Sequence, residues 1–111
     1  MEVFPKFIIE DGNLILSKVT RHHQLVTDRS RVKGGGWFRY LGEIRTFELY
    51  GGSEDFGKAE LKDIQQCVEY GRVYSNKSCT HSITDMYYFQ YNTGTEIIKL
   101  KPNNYDAATR L

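Results

Sequence analysis

The stretch of this 111-residue chain best suited to binding an anion runs from Val32 to Gly57. It contains Gly34-Gly35-Gly36 and Gly51-Gly52, with two strand-like runs between them. The second cluster leaves a predicted strand and enters a segment with helical spacing. Glycine tolerates the positive φ angles that let successive backbone amides point at one spot, and such amides at a helix N-terminus bind phosphate. The pattern therefore predicts an anion-binding loop around Ser53.

A simpler interpretation of these glycines stays open, in which Gly51-Gly52 only turns the chain at the end of a strand. Spacing alone favours this simpler interpretation, because isolated glycine patterns are weak evidence for a site. The loop fits neither G-x-G-x-x-G nor G-x-x-x-x-G-K-[ST], so the pattern excludes a Rossmann or P-loop nucleotide site.

Two adjacent histidines, His22 and His23, are the candidate general bases. Histidine titrates near neutral pH and can act as a base and an acid in turn. Thr20 is a plausible N-cap for a short helix over residues 21–27, which places both imidazoles near a helix N-terminus and lowers their pKa. The alternative is two exposed imidazoles without a catalytic role.

Other chemistries have little support in the sequence. Cys67 falls on the apolar face of a predicted helix, which favours a core position over a nucleophile. His22 and His23 lack metal-ligand spacing to His81, and neither C-x-x-C nor H-E-x-x-H occurs, so we expect no metal and no cofactor. The aromatic run Tyr87–Tyr91 lacks interleaved Lys or Arg, and the net charge is +1, so we expect neither nucleic acid nor a membrane as a partner.

The elements that must position these residues form one α+β domain over residues 1–101, followed by a C-terminal tail at 102–111. We predict a mixed β-sheet of about six strands with two helices. The second helix, Lys58–Tyr70, has the strongest helical periodicity and is stopped by Gly71. The strand signals fall at Phe7–Ile9, Leu14–Val19, Trp37–Tyr40, Thr46–Tyr50, Arg72–Tyr74, Asp85–Tyr91 and Glu96–Leu100.

The cysteine pattern favours a reducing compartment in which both thiols are free. The two cysteines, Cys67 and Cys79, do not form a disulfide-rich pattern. The N-terminal residues 1–5 show neither a basic region nor an apolar region of a secretory signal, and no apolar run approaches the length of a membrane span. We therefore expect a cytoplasmic protein.

The glycine-rich stretch resembles the Janus/Ocnus family of phosphohistidine phosphatases. The resemblance rests on the triple glycine, a hairpin of similar length, and the match of Tyr50–Gly57, YGGSEDFG, to the pattern Y-G-x-S-x-x-[FY]-G. It is clearest from Pro5 to Tyr70. The resemblance implies an α+β fold and a phosphatase that cleaves the P–N bond of phosphohistidine or another phosphoramidate.

The resemblance also implies a role for particular residues. It places a phosphate-binding loop at Gly52, Ser53, Glu54 and Asp55, with the backbone amides and the Ser53 hydroxyl facing the phosphoryl oxygens. It assigns the base to His22, with His23 as the alternative one position away. It assigns the cation to Lys6, just inside the first strand, with Arg21 or Arg39 as substitutes.

The loop departs from the family at Glu54 and Asp55, where two carboxylates replace uncharged residues. At an effective dielectric near 20, a like charge about 4 Å from the phosphate costs roughly 4 kcal/mol. The expected partner is a phosphohistidine protein or a small phosphorylated ligand. The alternative function is a non-enzymatic interaction module on the same scaffold, such as a small phage or mobile-element protein.

Overall fold

The computed structural model describes residues 2–101 and contains one mixed β-sheet with one α-helix. The predicted tail at 102–111 lies outside the described residues. Two strand pairs, β2 with β5 and β4 with β6, are parallel, and the other pairs are antiparallel. The strands lie in the order β5-β2-β1-β3-β4-β6-β7. The elements are β1 (Phe4–Glu10), β2 (Asn13–Val19), β3 (Val32–Leu41), β4 (Thr46–Tyr50), α1 (Leu61–Glu69), β5 (Val73–Tyr74), β6 (Tyr88–Asn92) and β7 (Ile97–Leu100).

The predicted α+β class is confirmed, but the prediction of about six strands and two helices is wrong in both counts for residues 2–101. The sheet has seven strands, one at each of the seven strand signals, and the short β5 pairs with the outer edge of β2 through Leu14 and Ile15. The second predicted helix is present as α1. Among the described residues, no helix is long and apolar enough to span a membrane.

The strand signals at Phe7–Ile9 and Leu14–Val19 correspond to β1 and β2, which form an antiparallel hairpin. Asp11 and Gly12 connect β1 to β2 and both adopt positive φ angles, +53° and +78°. Such two-residue turns follow the right-handed twist of the flanking strands, and Asp-Gly suits them because both residues tolerate this conformation. The turn fixes the register in which Ile8 faces Ile15.

The helix predicted over residues 21–27 is instead a four-residue 3-10 turn, His22–Leu25. The side-chain oxygen of Gln24 accepts the amides of Thr20 and Arg21, at 2.8 and 2.9 Å. Beyond the turn, the Glu10 carboxylate accepts the amides of residues 27 and 28, at 2.6 and 2.7 Å. These contacts hold the chain in an extended path, whereas so short a helix has little intrinsic stability.

Helix α1 begins at Leu61, three residues later than predicted. Lys58 forms an isolated parallel bridge with Gly35, so this part of the chain continues the extended conformation beside β3. The helix packs one face into the core, where Ile64, Cys67 and Val68 are buried. Gly71 has a φ of +68° and follows the end of the helix, as the sequence predicted.

The two faces of the sheet differ in what they carry. The helix face packs against α1 and contains the main core, and side-chain alternation along the strands defines the other face, here named the open face. On the open face the 3-10 turn covers β1 and β2 through Leu25, which packs with Ile8 and Ile15. The main core consists of Phe7, Ile9, Leu14, Leu16, Leu49, Ala59, Ile64, Cys67, Val68, Val73, Phe89, Tyr91 and Leu100.

Candidate functional site

His22 lies inside the protein, although it belongs to a surface turn. Its side chain points towards β3, and Nε2 lies 2.7 Å from the carbonyl oxygen of Gly36. The residue is only 3% exposed. Because a carbonyl oxygen only accepts hydrogen bonds, we assign the proton of the neutral imidazole to Nε2, which leaves Nδ1 as an acceptor. Nδ1 makes no hydrogen bond to any residue between 2 and 101.

The pKa of His22 is lowered from its ordinary value of 6.5. Burial is the main cause, because it disfavours the charged imidazolium. The nearby positive charges of Lys6 and Arg21 lower the pKa further, whereas the bond to Gly36 and the charge of Asp55 raise it. The predicted cause, a helix N-terminus, does not apply to a four-residue turn. His22 is therefore neutral at pH 7.

Lys6 lies beside His22 on the open face. Its Nζ donates a hydrogen bond to the carbonyl oxygen of Thr20 at 2.8 Å and lies 4.7 Å from the centre of the Trp37 ring. Lys6 is 7% exposed, yet it forms no ion pair with the described carboxylates. A buried ammonium group without a counter-ion is costly, so this position favours the binding of an anion.

The loop at Ser53 forms a tight turn that is braced from within. The Ser53 hydroxyl accepts the amides of Asp55 and Phe56, at 3.2 and 3.1 Å. The Ser53 amide itself donates to the carbonyl oxygens of Gly35 and Gly57, at 3.1 and 3.3 Å. Two of the four predicted phosphate-binding amides, those of Ser53 and Asp55, therefore already have acceptors, as does the amide of Phe56. Those of Gly52 and Glu54 donate to no residue in the described part of the chain.

This loop does not lie at a helix N-terminus, contrary to the sequence prediction. The chain closes a small turn between Ser53 and Gly57, which form an antiparallel bridge, and α1 starts only at Leu61. The dipole of α1 acts over its first turn and does not reach the loop. Any anion at Ser53 must therefore be bound by loop amides and by side chains from other elements.

The triple glycine brings His22 and the Ser53 loop together. It lies inside β3, which starts at Val32 and not at Trp37 as predicted. Gly36 accepts the hydrogen bond from His22, and the carbonyl oxygen of Gly35 accepts the one from Ser53. The predicted base and the predicted phosphate-binding loop therefore contact adjacent residues of one strand.

The close approach explains why glycine is needed in this strand. A Cβ atom on Gly35 would lie 2.5 Å from the Phe7 carbonyl oxygen and 3.2 Å from the His22 ring. A Cβ atom on Gly36 would lie 2.6 Å from the carbonyl oxygen of Tyr50. Both positions lack the space for a side chain, so the glycines serve packing around the site.

Asp55 lies at the edge of the candidate site formed by Lys6, His22 and the Ser53 loop, here named the niche. Its carboxylate forms an ion pair with Arg21 at 2.9 Å and lies 3.8 Å from Nδ1 of His23. The hydrogen bond from Arg21 is the main reason why the pKa of Asp55 is lowered. The structure therefore places His23 at the surface, with a side chain 56% exposed, while His22 points inward. Glu54 is exposed.

The candidate site lies apart from two clefts formed by the described residues. These clefts have volumes of about 670 and 390 Å³, and none of Lys6, His22 and Ser53 lines either of them. The larger one lies at the far end of β1, where the carboxylate of Glu10 pairs with Lys77 at 2.8 Å. No group of three or more metal-ligating side chains occurs among residues 2–101.

The residues that sequence reasoning missed are those that connect the site. Trp37 lies next to Lys6 and His22: the Lys6 ammonium group sits over its ring, and the centre of the His22 ring lies 6.3 Å from the centre of the Trp37 ring. The sequence indicates Arg21 only as a substitute for Lys6, and its ion pair with Asp55 has no sequence signal because the two residues lie 34 positions apart. The sequence offers one signal for Trp37, which is its place directly after the triple glycine.

Comparisons of the chain with protein-family models, curated proteins and solved structures found no match.

Proposed function

We propose that this protein binds a phosphoryl group between Lys6, His22 and the Ser53 loop, and that it hydrolyses phosphohistidine or another phosphoramidate. The observation that carries the proposal is the buried Lys6 ammonium group, which lacks a carboxylate partner among residues 2–101 and lies beside a neutral imidazole. A phosphoryl group supplies the missing negative charge. The resemblance of Tyr50–Gly57 to the Janus/Ocnus signature supports the same assignment.

The hydrogen bond of His22 suits it to proton transfer. With Nε2 donating to Gly36, the unprotonated Nδ1 accepts a proton from the attacking water. The water oxygen forms a bond to phosphorus while the P–N bond breaks. The His22 imidazolium then gives its proton to the leaving nitrogen, which restores the neutral imidazole and completes the proton balance.

Lys6 and the loop stabilise the charge on the phosphoryl oxygens in this proposal. Lys6 supplies the positive charge, and the amides of Gly52 and Glu54 are the loop donors that remain available. Groups fixed before the reaction stabilise developing charge without a cost of reorganisation. The Thr20 carbonyl oxygen and the Trp37 ring hold Lys6 in place for this role.

Asp55 opposes the binding of phosphate, because its carboxylate borders the niche. Its ion pair with Arg21 neutralises part of this charge. When phosphate enters, Arg21 can turn from Asp55 to the phosphoryl group, since more than half of its side chain is exposed. Asp55 therefore weakens binding of phosphate but does not block it.

The test measures release of phosphate from phosphoramidate and from phosphorylated poly-histidine. We expect turnover by the unmodified chain and a loss of at least about a hundredfold in His22→Asn, because general-base catalysis contributes that much. His23→Asn is the matched control and retains activity, since His23 points to solvent. Circular dichroism must show that both variants fold.

The alternative function, a non-enzymatic interaction module on the same scaffold, is favoured by one observation. The amides of Ser53, Asp55 and Phe56 already have acceptors within the protein, which leaves a small anion nest. Such a module shows no turnover of either substrate. It also shows no change in the amide chemical shifts of residues 52–55 when phosphate is added.

A further inference from the structure

The open face of the sheet carries a charged network next to the candidate site. Arg39 on β3 faces Glu48 on β4, which faces Gln90 on β6, which faces Lys99 on β7. Glu48 and Gln90 are 6% and 7% exposed, so a carboxylate and an amide form the floor of this row. The side chain of Arg39 stands above them and is 50% exposed.

This network holds the guanidinium group of Arg39 in one position. Nε lies 2.9 Å from Oε2 of Glu48, and the planar group lies over the Tyr50 ring, 4.3 Å from its centre. The other oxygen of Glu48 accepts a hydrogen bond from the Gln90 side chain at 2.7 Å. The Gln90 amide thus holds the buried Glu48 carboxylate in place, and this carboxylate holds the guanidinium group of Arg39.

Stability alone does not account for this arrangement. The Arg39 side chain is 50% exposed, and an ion pair with an exposed partner contributes little to stability, so the pair is weak evidence for a structural role. Apart from its contact with Glu48, the Arg39 guanidinium makes no hydrogen bond or ion pair within residues 2–101. Its two terminal Nη groups are therefore free to bind a carboxylate through two parallel hydrogen bonds.

The position of Arg39 links it to the candidate site. Lys6, Trp37 and Tyr50 face one another across β1, β3 and β4, and Arg39 leans over Tyr50 from the next row. Residues two apart in a strand lie about 7 Å apart, so Arg39 lies roughly 7 to 13 Å along β3 from the positions next to Lys6 and His22. An extended peptide covers this distance in two to four residues.

We propose that Arg39 recognises an acidic side chain two to four residues from the phosphohistidine of a protein substrate. This inference rests on the proposed function and specifies its substrate as an extended, acidic segment of a protein. Lys99, in the same row, adds a second positive charge that attracts such a segment.

Single-stranded nucleic acid fits this face less well. Bases bind by stacking on open aromatic rings. Here Arg39 covers one side of Tyr50, and Lys6 lies over Trp37. The rings of Trp37 and Tyr50 therefore each already contact a cation. The Nη groups of Arg39 remain available to donate hydrogen bonds to an acidic group.

The test compares phosphoramidate with two sets of phosphohistidine peptides, which carry Glu or Gln two and four residues from the phosphohistidine on either side. The variants are Arg39→Gln, Arg39→Lys and the matched control Lys62→Gln, which removes a positive charge from the helix face where the side chain is 75% exposed.

We expect Arg39→Gln to raise KM for the best Glu peptide about five- to tenfold. Turnover of phosphoramidate and of the Gln peptides stays within twofold, as do all activities of Lys62→Gln. Arg39→Lys keeps the charge but loses the two parallel bonds, and recovers only part of the preference.

A second measurement separates the two proposals. The Arg39 Nε resonance is followed by ¹⁵N NMR while a Glu peptide with a phosphonate in place of the phosphoryl group is added. Turnover of phosphoramidate without any preference for Glu peptides overturns the role of Arg39 and leaves the phosphatase. A shift of the Arg39 resonance without turnover overturns the phosphatase and supports the acidic partner, whereas neither turnover nor shift overturns both. Tighter binding of an oligothymidine than of the Glu peptide also overturns the acidic partner. If Arg39→Gln does not fold, Arg39→Gln with Glu48→Gln avoids the unpaired buried carboxylate and takes its place.

Discussion

His22 and Gly36 form the contact on which the candidate site depends, because the 2.7 Å bond from Nε2 to the Gly36 carbonyl oxygen holds the imidazole inside the protein. The bond fixes the tautomer of the ring and leaves Nδ1 as the reactive nitrogen. It also fixes the ring beside Lys6 and next to the strand that binds the Ser53 amide. A surface turn thereby contributes a buried and neutral base.

The lowered pKa of His22 predicts how stability depends on pH. The folded state binds a proton at His22 less readily than the unfolded state, whose pKa is close to 6.5. The contribution of the neutral ring is therefore complete above pH 6.5 and is lost as the pH falls from 6.5 towards the lower folded pKa. Urea unfolding between pH 7.5 and 5 should show this loss.

His22→Gln provides the comparison for that measurement, because glutamine cannot take up the proton. The variant should show a flatter dependence on pH between 7.5 and 5, whereas His23→Gln should follow the unmodified chain. Equal slopes in all three proteins would contradict a buried neutral His22. The pKa of Asp28 is lowered from an ordinary value of 3.8, mainly by Ser30, so its contribution is lost only at more acidic pH.

Gly35→Ala should destabilise the fold, because the new Cβ atom meets the Phe7 carbonyl oxygen at 2.5 Å. The expected loss in the free energy of unfolding is about 1–3 kcal/mol, the usual cost of overpacking. Gly42→Ala is the control, since its nearest neighbour would lie at 3.5 Å. Thermal or urea unfolding checks both, and equal stability of the two variants would refute the close approach of β1 and β3.

Much of the fold was predictable from local sequence signals. Asp11-Gly12 identifies the first hairpin because few residue pairs tolerate its turn, and the spacing of Ile64, Cys67 and Val68 identifies α1. The core position of Cys67 is also confirmed, and burial raises the pKa of its thiol to about 12. These features depend on neighbours a few residues apart, which a sequence displays directly.

The errors arose where distant residues determine the local structure. The chain around His22 reads as a short helix, but the carboxylate of Glu10, 17 positions before Thr27, binds the amides that follow the turn and ends it early. The predicted strand begins at Trp37, although the glycines before it belong to the same strand and pass close to its neighbours. The pairing of Arg39 with Glu48 depends on strand register and has no local signal.

Glu10→Gln should loosen the chain that follows the 3-10 turn. Burial raises the pKa of the Glu10 carboxyl, but the bonds from Lys77 and from the amides of Asp28 and Thr27 outweigh it, and the net pKa is lowered from 4.5. The contribution of the carboxylate is thus present above pH 4.5 and is lost as the pH falls below that value. We expect a loss of about 1.5–3 kcal/mol at pH 7, typical of hydrogen bonds to a charged group.

Hydrogen exchange locates the effect of Glu10→Gln. The amides of Thr27 and Asp28 should exchange faster, while those of α1 should change only as global stability changes. Glu69→Gln is a matched control at the last residue of α1, where Glu69 is only partly buried. Unchanged exchange at residues 27 and 28 would show that the carboxylate does not hold this segment.

Asp55→Asn should strengthen the binding of inorganic phosphate. The substitution removes a negative charge at the edge of the niche and releases Arg21 from its ion pair. We expect a Kd about three- to tenfold lower at low salt, with a difference that shrinks at high ionic strength because the groups are partly exposed. Isothermal titration of phosphate measures the effect.

Glu54→Gln is the matched control for Asp55→Asn, because it removes the same charge from a neighbouring residue that is exposed. Its effect should be smaller. If Asp55→Asn binds phosphate more weakly than the unmodified chain, then Asp55 supports the site and the proposed exchange of Arg21 from Asp55 to phosphate is wrong.

The most direct test of the proposed site is a ¹⁵N NMR spectrum of the histidine side chains during a titration with phosphate. We predict that His22 is neutral at pH 7 with its proton on Nε2, and that its Nδ1 resonance shifts as phosphate binds while that of His81 does not. A proton on Nδ1 of His22, or an Nδ1 resonance that phosphate leaves unchanged, would contradict a phosphoryl site at this imidazole.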